Sequence, residues 1–152
     1  MSGITNRGKL LLLQYAFRTS GRPANYYVAL CTSAQTPTAD TNLLSDLTQI
    51  AVGDGYSNGG YQLTPGDTDF DVNTENDASD LANIQIKDVV WNASGGSIPA
   101  SGNGARWAVL TTNEGTVANR QIIAYWDLVS DRMVSDSQSL TLQNCELQLT
   151  ET

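Results

Sequence analysis

WNASGGSIPASGNGARWAVL, residues 91–110, sets two apolar runs, each holding a tryptophan, on either side of a long loop of Gly, Ser, Ala, Asn and Pro. Neither run has helical spacing, and both are too short and too rich in Val and Trp for anything but strands. The loop is longer than a hairpin needs, and a loop of that kind is often functional. Upstream, LANIQIKDVVW alternates through Ile84 and Ile86, then shifts phase at Lys87-Asp88 before Val89–Trp91, which predicts a bulge or corner. Downstream, RWAVLTT, RQIIAYWDL, SLTLQ and CELQL form a series of short strands separated by Asn-Glu-Gly, Ser-Asp-Arg and Gln-Asn turns.

Toward the N-terminus the pattern changes. Thr5 can cap a helix over about 5–18, in which Leu10, Leu13 and Phe17 recur at i, i+3, i+7 and Leu11, Leu12 and Tyr15 widen the face to be buried. Gly21-Arg22-Pro23 ends it, and NYYVALCT follows as a strand over Tyr26–Thr32. TPTADTNLLSDLTQI predicts a short second helix, capped by Asp40 or Thr41, because Leu43, Leu44, Leu47 and Ile50 return at helical spacing. Asp54-Gly55 and Asn58-Gly59-Gly60 supply the positive φ angles of tight turns, and in TDFDV the alternation turns Phe70 and Val72 inward and Asp67, Asp69 and Asp71 outward. The expected fold is a single mainly β domain over residues 1–152, an antiparallel jelly roll or sandwich-like barrel with one or two short peripheral helices.

The 152 residues carry 8 Lys and Arg against 16 Asp and Glu, a formal charge of −8, so the chain as a whole repels phosphate and is expected to bind neither nucleic acid nor membrane. Arg7, Lys9, Arg18 and Arg22 read as a solvated helix face. GKLLLLQYAF is too short for a membrane span or a secretory core, so the expectation is a reducing cytosol, free thiols at Cys31 and Cys145, and no use of the sequon Asn92-Ala93-Ser94.

Catalytic chemistry has few candidates. There is no histidine, and neither cysteine lies in a polar turn that would activate it. Asp67, Asp69 and Asp71 copy the first three ligands of a calcium loop, but Val72 stands where that loop needs Gly and Ala78 where it needs Glu. A carboxylate pair such as Asp127 and Glu146 is the remaining hydrolytic arrangement. SGGSIPASGNG lacks the Lys-Ser/Thr of a phosphate loop. The expectation is therefore no enzyme, with no catalytic, cofactor or metal residues. Trp91, Trp107 and Trp126 read as core packing, with sugar stacking as the alternative. The 91–110 loop is either a loose connection or a segment ordered by a neighbouring subunit, with Tyr56, Ile98 and Pro99 as partner-binding anchors.

The succession YYVALCTSAQTPT, LSDLTQIAVGDGYSNGGYQL, IKDVVWNASGGSIPASGNGARWAVLTT and IIAYWDL resembles small virion proteins of tailed bacteriophages, over nearly the whole chain. The resemblance implies a virion structural protein assembled in the host cytoplasm. It implies most directly a head decoration or cement protein that binds the major capsid protein as a homotrimer and stabilises the capsid. The alternatives are a tail-tip or fibre-associated component and a carbohydrate-binding module.

Overall fold

The computed structural model describes residues 2–18 and 21–150. A two-residue strand β1 (Gly3–Ile4) leads into helix α1 (Asn6–Phe17), whose first turn is capped by Thr5 Oγ1 accepting from the Gly8 N–H at 2.8 Å. The strands then follow as β2 (Tyr26–Cys31), β3 (Tyr61–Leu63), β4 (Val72–Asn76), β5 (Leu81–Ile86), β6 (Val89–Asn92), β7 (Ala105–Thr111), β8 (Ile122–Arg132), β9 (Ser139–Leu142) and β10 (Cys145–Thr150). Every pairing is antiparallel, as the sequence predicts.

One layer is a five-stranded sheet in the order β1-β8-β7-β2-β3. The other is built on a long ribbon. Ile86 pairs with Cys145 and Val89 with Leu142, three residues on in one strand and three back in the other. The β5–β10 and β6–β9 ladders therefore share one register across a corner at Lys87-Asp88, where the alternation shifts phase, and β4 adds to the free side of β5.

The main core lies between the layers. Val28, Leu30, Ala108, Leu110 and Trp126 from the first sheet meet Ile86, Val89, Trp91, Leu142 and Leu147 from the second. The intervening residues Ala29, Cys31, Trp107, Val109 and Tyr125 pack on the opposite face of the first sheet with Leu44 and Leu47. Burial on both faces explains why β2 reads YYVALC, an apolar run without alternation.

That second cover is not the predicted helix. Residues 42–50 contain one 3₁₀ turn, Leu44–Asp46, and otherwise run extended. Their backbone groups bond elsewhere: the Leu44 N–H donates to Arg120 O at 2.9 Å, the Ile122 N–H to Asn42 O at 2.8 Å and the Ile50 N–H to Leu30 O at 3.0 Å. Leu44, Leu47 and Ile50 are buried as their spacing implies, but the sheet satisfies the backbone that a helix would have satisfied internally.

Helix α1 stands where β7 and β8 lose register: Leu110 pairs with Ala124 but Thr111 with Ile122, leaving Ile123 unpaired in the ladder. The Ile123 carbonyl accepts from the Thr5 N–H at 2.9 Å instead, and Gly8 lies so close that a Cβ there would sit 2.1 Å from the same oxygen. The buried face of α1 is thus Gly8 and Leu11, with Leu12 and Tyr15 half-buried. The predicted face is split: Leu11, Leu12 and Tyr15 turn inward as expected, whereas Leu10, Leu13 and Phe17 face solvent at 45%, 59% and 83% exposed.

Candidate functional site

The residues expected to anchor a partner are inside the chain's own core. Tyr56 and Ile98 are 2% and 0% exposed, and Pro99 is buried beside them. The Tyr56 hydroxyl accepts from the Leu30 N–H at 2.9 Å, and its ring packs 6.2 Å from that of Trp91, so burial and contact hold it as a structural post with its proton affinity raised. Ile98 exchanges two backbone hydrogen bonds with Val134, at 3.0 and 2.9 Å. The Ser94 N–H donates to Asp54 O at 2.9 Å and the Gly95 N–H to an Asp136 carboxylate oxygen at 2.8 Å. Residues 93–104 are therefore not a loose connection, and the anchors expected to reach a neighbour, Tyr56, Ile98 and Pro99, are taken up by the chain's own core. Small residues do permit close backbone approach, but to the chain itself: a Cβ on Gly55 would sit 2.1 Å from Asn92 O.

The tryptophans are core residues, at 4%, 5% and 7% exposed for Trp91, Trp107 and Trp126, which leaves no indole face for a sugar ring to stack upon. Trp126 Nε1 donates to Glu146 O at 2.9 Å, tying the two sheets together.

The carboxylates considered for hydrolysis have structural partners. Arg106 grips Asp127 through two hydrogen bonds, at 2.9 and 3.2 Å, and the Val129 N–H adds a third at 2.7 Å, which together hold the acid far below the usual carboxylate range. Glu146 lies on the other sheet, in the crevice between β1 and β10, and accepts from Gln148 Nε2 at 2.9 Å. Asp127 is absent from the lining of that crevice.

Asp69 departs from its predicted outward direction. Residues 67–69 form a turn rather than a strand, and Asp69 folds inward to meet Lys87 Nζ at 2.6 Å and the Thr64 N–H at 2.7 Å. The hydrogen bond from Lys87 is the main reason its carboxyl is held low. Lys87 comes from the corner between β5 and β6, so the phase shift in the sequence is what delivers the cation. Phe70 packs edge-on to Tyr26 at 5.7 Å, while Asp67 and Asp71 stay exposed. Glu114 follows the same principle: burial opposes its charge, but hydrogen bonds from Thr112 and Gln121 leave it below its ordinary value. Both cysteines are free and buried, and burial pushes each thiol up to about 12, so neither is a thiolate at neutral pH.

Among the described residues, apolar and charged groups meet on several outward surfaces, the end of β8 at Val129–Met133 among them, and two of these differ in sign of charge. One is the exposed stripe of α1. The other is the end of the second sheet, where the inner face continues past its cover row by row. Ile86 and Cys145 are buried, Ile84 and Leu147 are half-buried and buried, and in the next row Ala82 and Leu149 are exposed, Leu149 to 55%. Glu75 pairs with Ala82, and Asp77 and Asp80 rim the same crevice. A second, mostly apolar cavity of about 250 Å³ adjoins it at the Ile84–Leu147 row, bounded by Leu12, Tyr26 and Phe70.

These features define an antiparallel β sandwich, closed at one place by a helix and overhung at another by three strands. No protein-family model matches the chain, and no match is found among curated proteins or solved structures.

Proposed function

We propose that the protein is a structural component of a tailed-phage virion, a head decoration protein that binds the major capsid protein and reinforces the shell by added buried interface. The observation that carries the reading is where the ionisable groups are engaged. Asp127 with Arg106, Asp69 with Lys87, and Glu114 with Thr112 and Gln121 all brace the body of the fold. What faces outward is shape, charge and apolar area, the materials of an interface. The segments that resemble phage virion proteins support the same reading, because YYVALC, VVWN, ARWAVLT and IIAYW are the strands of the sandwich core. Repeated copies of one rigid body suit a lattice, with a homotrimer on a symmetry axis as the proposed form.

The test is cosedimentation of the purified chain with undecorated capsids of its phage. Saturable binding at a stoichiometry fixed by the lattice supports the role. Capsids that ignore this chain while another protein fills those positions would reject it, and a few copies located at the tail by particle imaging would move it there.

A further inference from the structure

The helix α1 is apolar on two opposite faces. At 100° per residue, Gly8, Leu11, Leu12 and Tyr15 point into the sandwich, while Leu10, Leu13 and Phe17 point directly away from it. A helix with apolar residues all round is ordinarily covered all round. Arg7 and Lys9 flank the outer stripe, one on each side, and Arg18 follows at its end.

Charge is divided along the chain in a way that identifies the cover. Residues 1–39 contain four of the 8 Lys and Arg and no Asp or Glu, so they carry +4, whereas residues 40–152 contain the other four and all 16 acids, which is −12. The overhang of β4, β5 and β10 is the reciprocal of α1: Ala82 and Leu149 pair on its inner face, Leu81 stands at its edge, and Glu75, Asp77 and Asp80 rim it, with no Lys or Arg among the described residues of its lining.

We infer that α1 of one copy seats in the β4–β5–β10 overhang of the next, so that the chain self-associates head to tail. The apolar stripe at i, i+3, i+7 meets the Leu149 floor, and Arg7, Lys9 and Arg18 meet Glu75, Asp77 and Asp80. Because the two surfaces differ, the contact is heterologous and yields a ring or an open string of copies. An anionic bilayer also attracts a basic apolar helix, but it has no use for the acidic overhang and is repelled by the rest of the chain. The inference stands on this chain's burial and charge alone and does not require the capsid reading.

Sedimentation velocity on the full chain at tens of micromolar tests it. The wild type is expected to form species heavier than the 16.3 kDa monomer, weakening by roughly tenfold or more in affinity when salt rises from low to molar ionic strength. Leu13→Glu/Phe17→Asp, which alters only solvent-facing positions, and Glu75→Lys/Asp77→Lys/Asp80→Lys should each be monomeric alone, with unchanged near-ultraviolet circular dichroism. Mixed, they should form dimers and nothing larger, because each supplies the surface the other lacks. A monomeric wild type, a variant that assembles as before, or a mixture that stays monomeric would overturn the inference, as would wild type that binds phosphatidylglycerol vesicles through α1 but not itself. Self-association without capsid binding would leave this inference standing and remove the decoration role; capsid binding by a strict monomer would do the reverse.

Discussion

Replacing Gly8 by Ala sets two effects of opposite sign against each other. In an isolated helix the change is favourable by at most about 1 kcal/mol, the entropic cost of glycine relative to alanine in a helix interior, because Gly8 stands in the first turn. In this fold the new methyl would lie 2.1 Å from Ile123 O and 2.8 Å from the Ile123 carbonyl carbon and Cα, and all three are backbone atoms of a strand buried on both sides. Ordinary contact starts near 3.4 Å, so α1 must lift by about 1.3 Å. That displacement strains the Thr5 N–H bond to Ile123 O, now 2.9 Å, worth about 1 kcal/mol net, and loosens Leu11. Overpacking of this kind costs about 1–3 kcal/mol, and the two losses together exceed the propensity gain. The expected net destabilisation is about 1–3 kcal/mol, read as a fall in Tm of roughly 2–12 °C for a chain of this size. Gly115→Ala, where nothing lies within 4 Å, is the control and should leave Tm unmoved. Scanning calorimetry on the three proteins decides the matter. A Gly8→Ala chain that melts at or above the wild-type temperature would refute the account of how α1 is seated.

Ile98→Ala should cost about 2–5 kcal/mol in urea unfolding, because the side chain is fully enclosed by its own chain; a stability near wild type would mean the loop is not part of the core. Asp127→Asn removes a carboxylate whose folded pKa is depressed, so its contribution is complete above the unfolded value near 4 and disappears as pH falls toward the folded one. Denaturation midpoints of wild type and variant should therefore differ at pH 7, and the gap should begin to narrow only below about pH 4 and close as pH falls to the strongly depressed folded pKa; a gap independent of pH would contradict the Arg106 clamp. Neither Cys31 nor Cys145 should react with a thiol reagent in the native chain, while both should react in strong denaturant; rapid native labelling of either would show that the buried site opens.

The strands were legible because burial leaves a period. The alternation in LANIQI, its interruption at Lys87-Asp88 and the unbroken run YYVALC each correspond to a sheet with one covered face, a corner between two ladders, and a sheet covered on both faces. The predicted second helix shows what a period cannot convey. Leu44, Leu47 and Ile50 are buried at the spacing observed, but an extended strap crossing a sheet buries every third residue as readily as a helix does, and what decides is whether Arg120, Ile122 and Leu30 offer the backbone a partner. Those residues are remote in sequence. Asp69 is a similar case, drawn inward by a lysine that only the folded corner supplies.

The misassigned surface residues share one cause. The sequence points to Tyr56 and Ile98 as outward anchors, yet they lie in the core; it points to Leu10, Leu13 and Phe17 as part of the buried face of the helix, yet they lie in solvent. Hydrophobicity states that a side chain favours cover, not which chain provides it. In LLLL at 10–13 every direction of the helix is apolar, so no moment could choose the inner face, and the deciding residue is the one without a side chain. A glycine inside a helix marks where a backbone must come close, and Gly8 points at Ile123. Likewise the small residues of 93–104 announce close approach without naming the neighbour, and Val134 of the same chain proves to be it. Once the interior has claimed Tyr56 and Ile98, three of the large apolar groups left outside, Leu10, Leu13 and Phe17, line one face of the basic helix, and the crevice around Leu149 is acidic. A chain that places opposite charges on two separate apolar surfaces has what one copy needs to hold another.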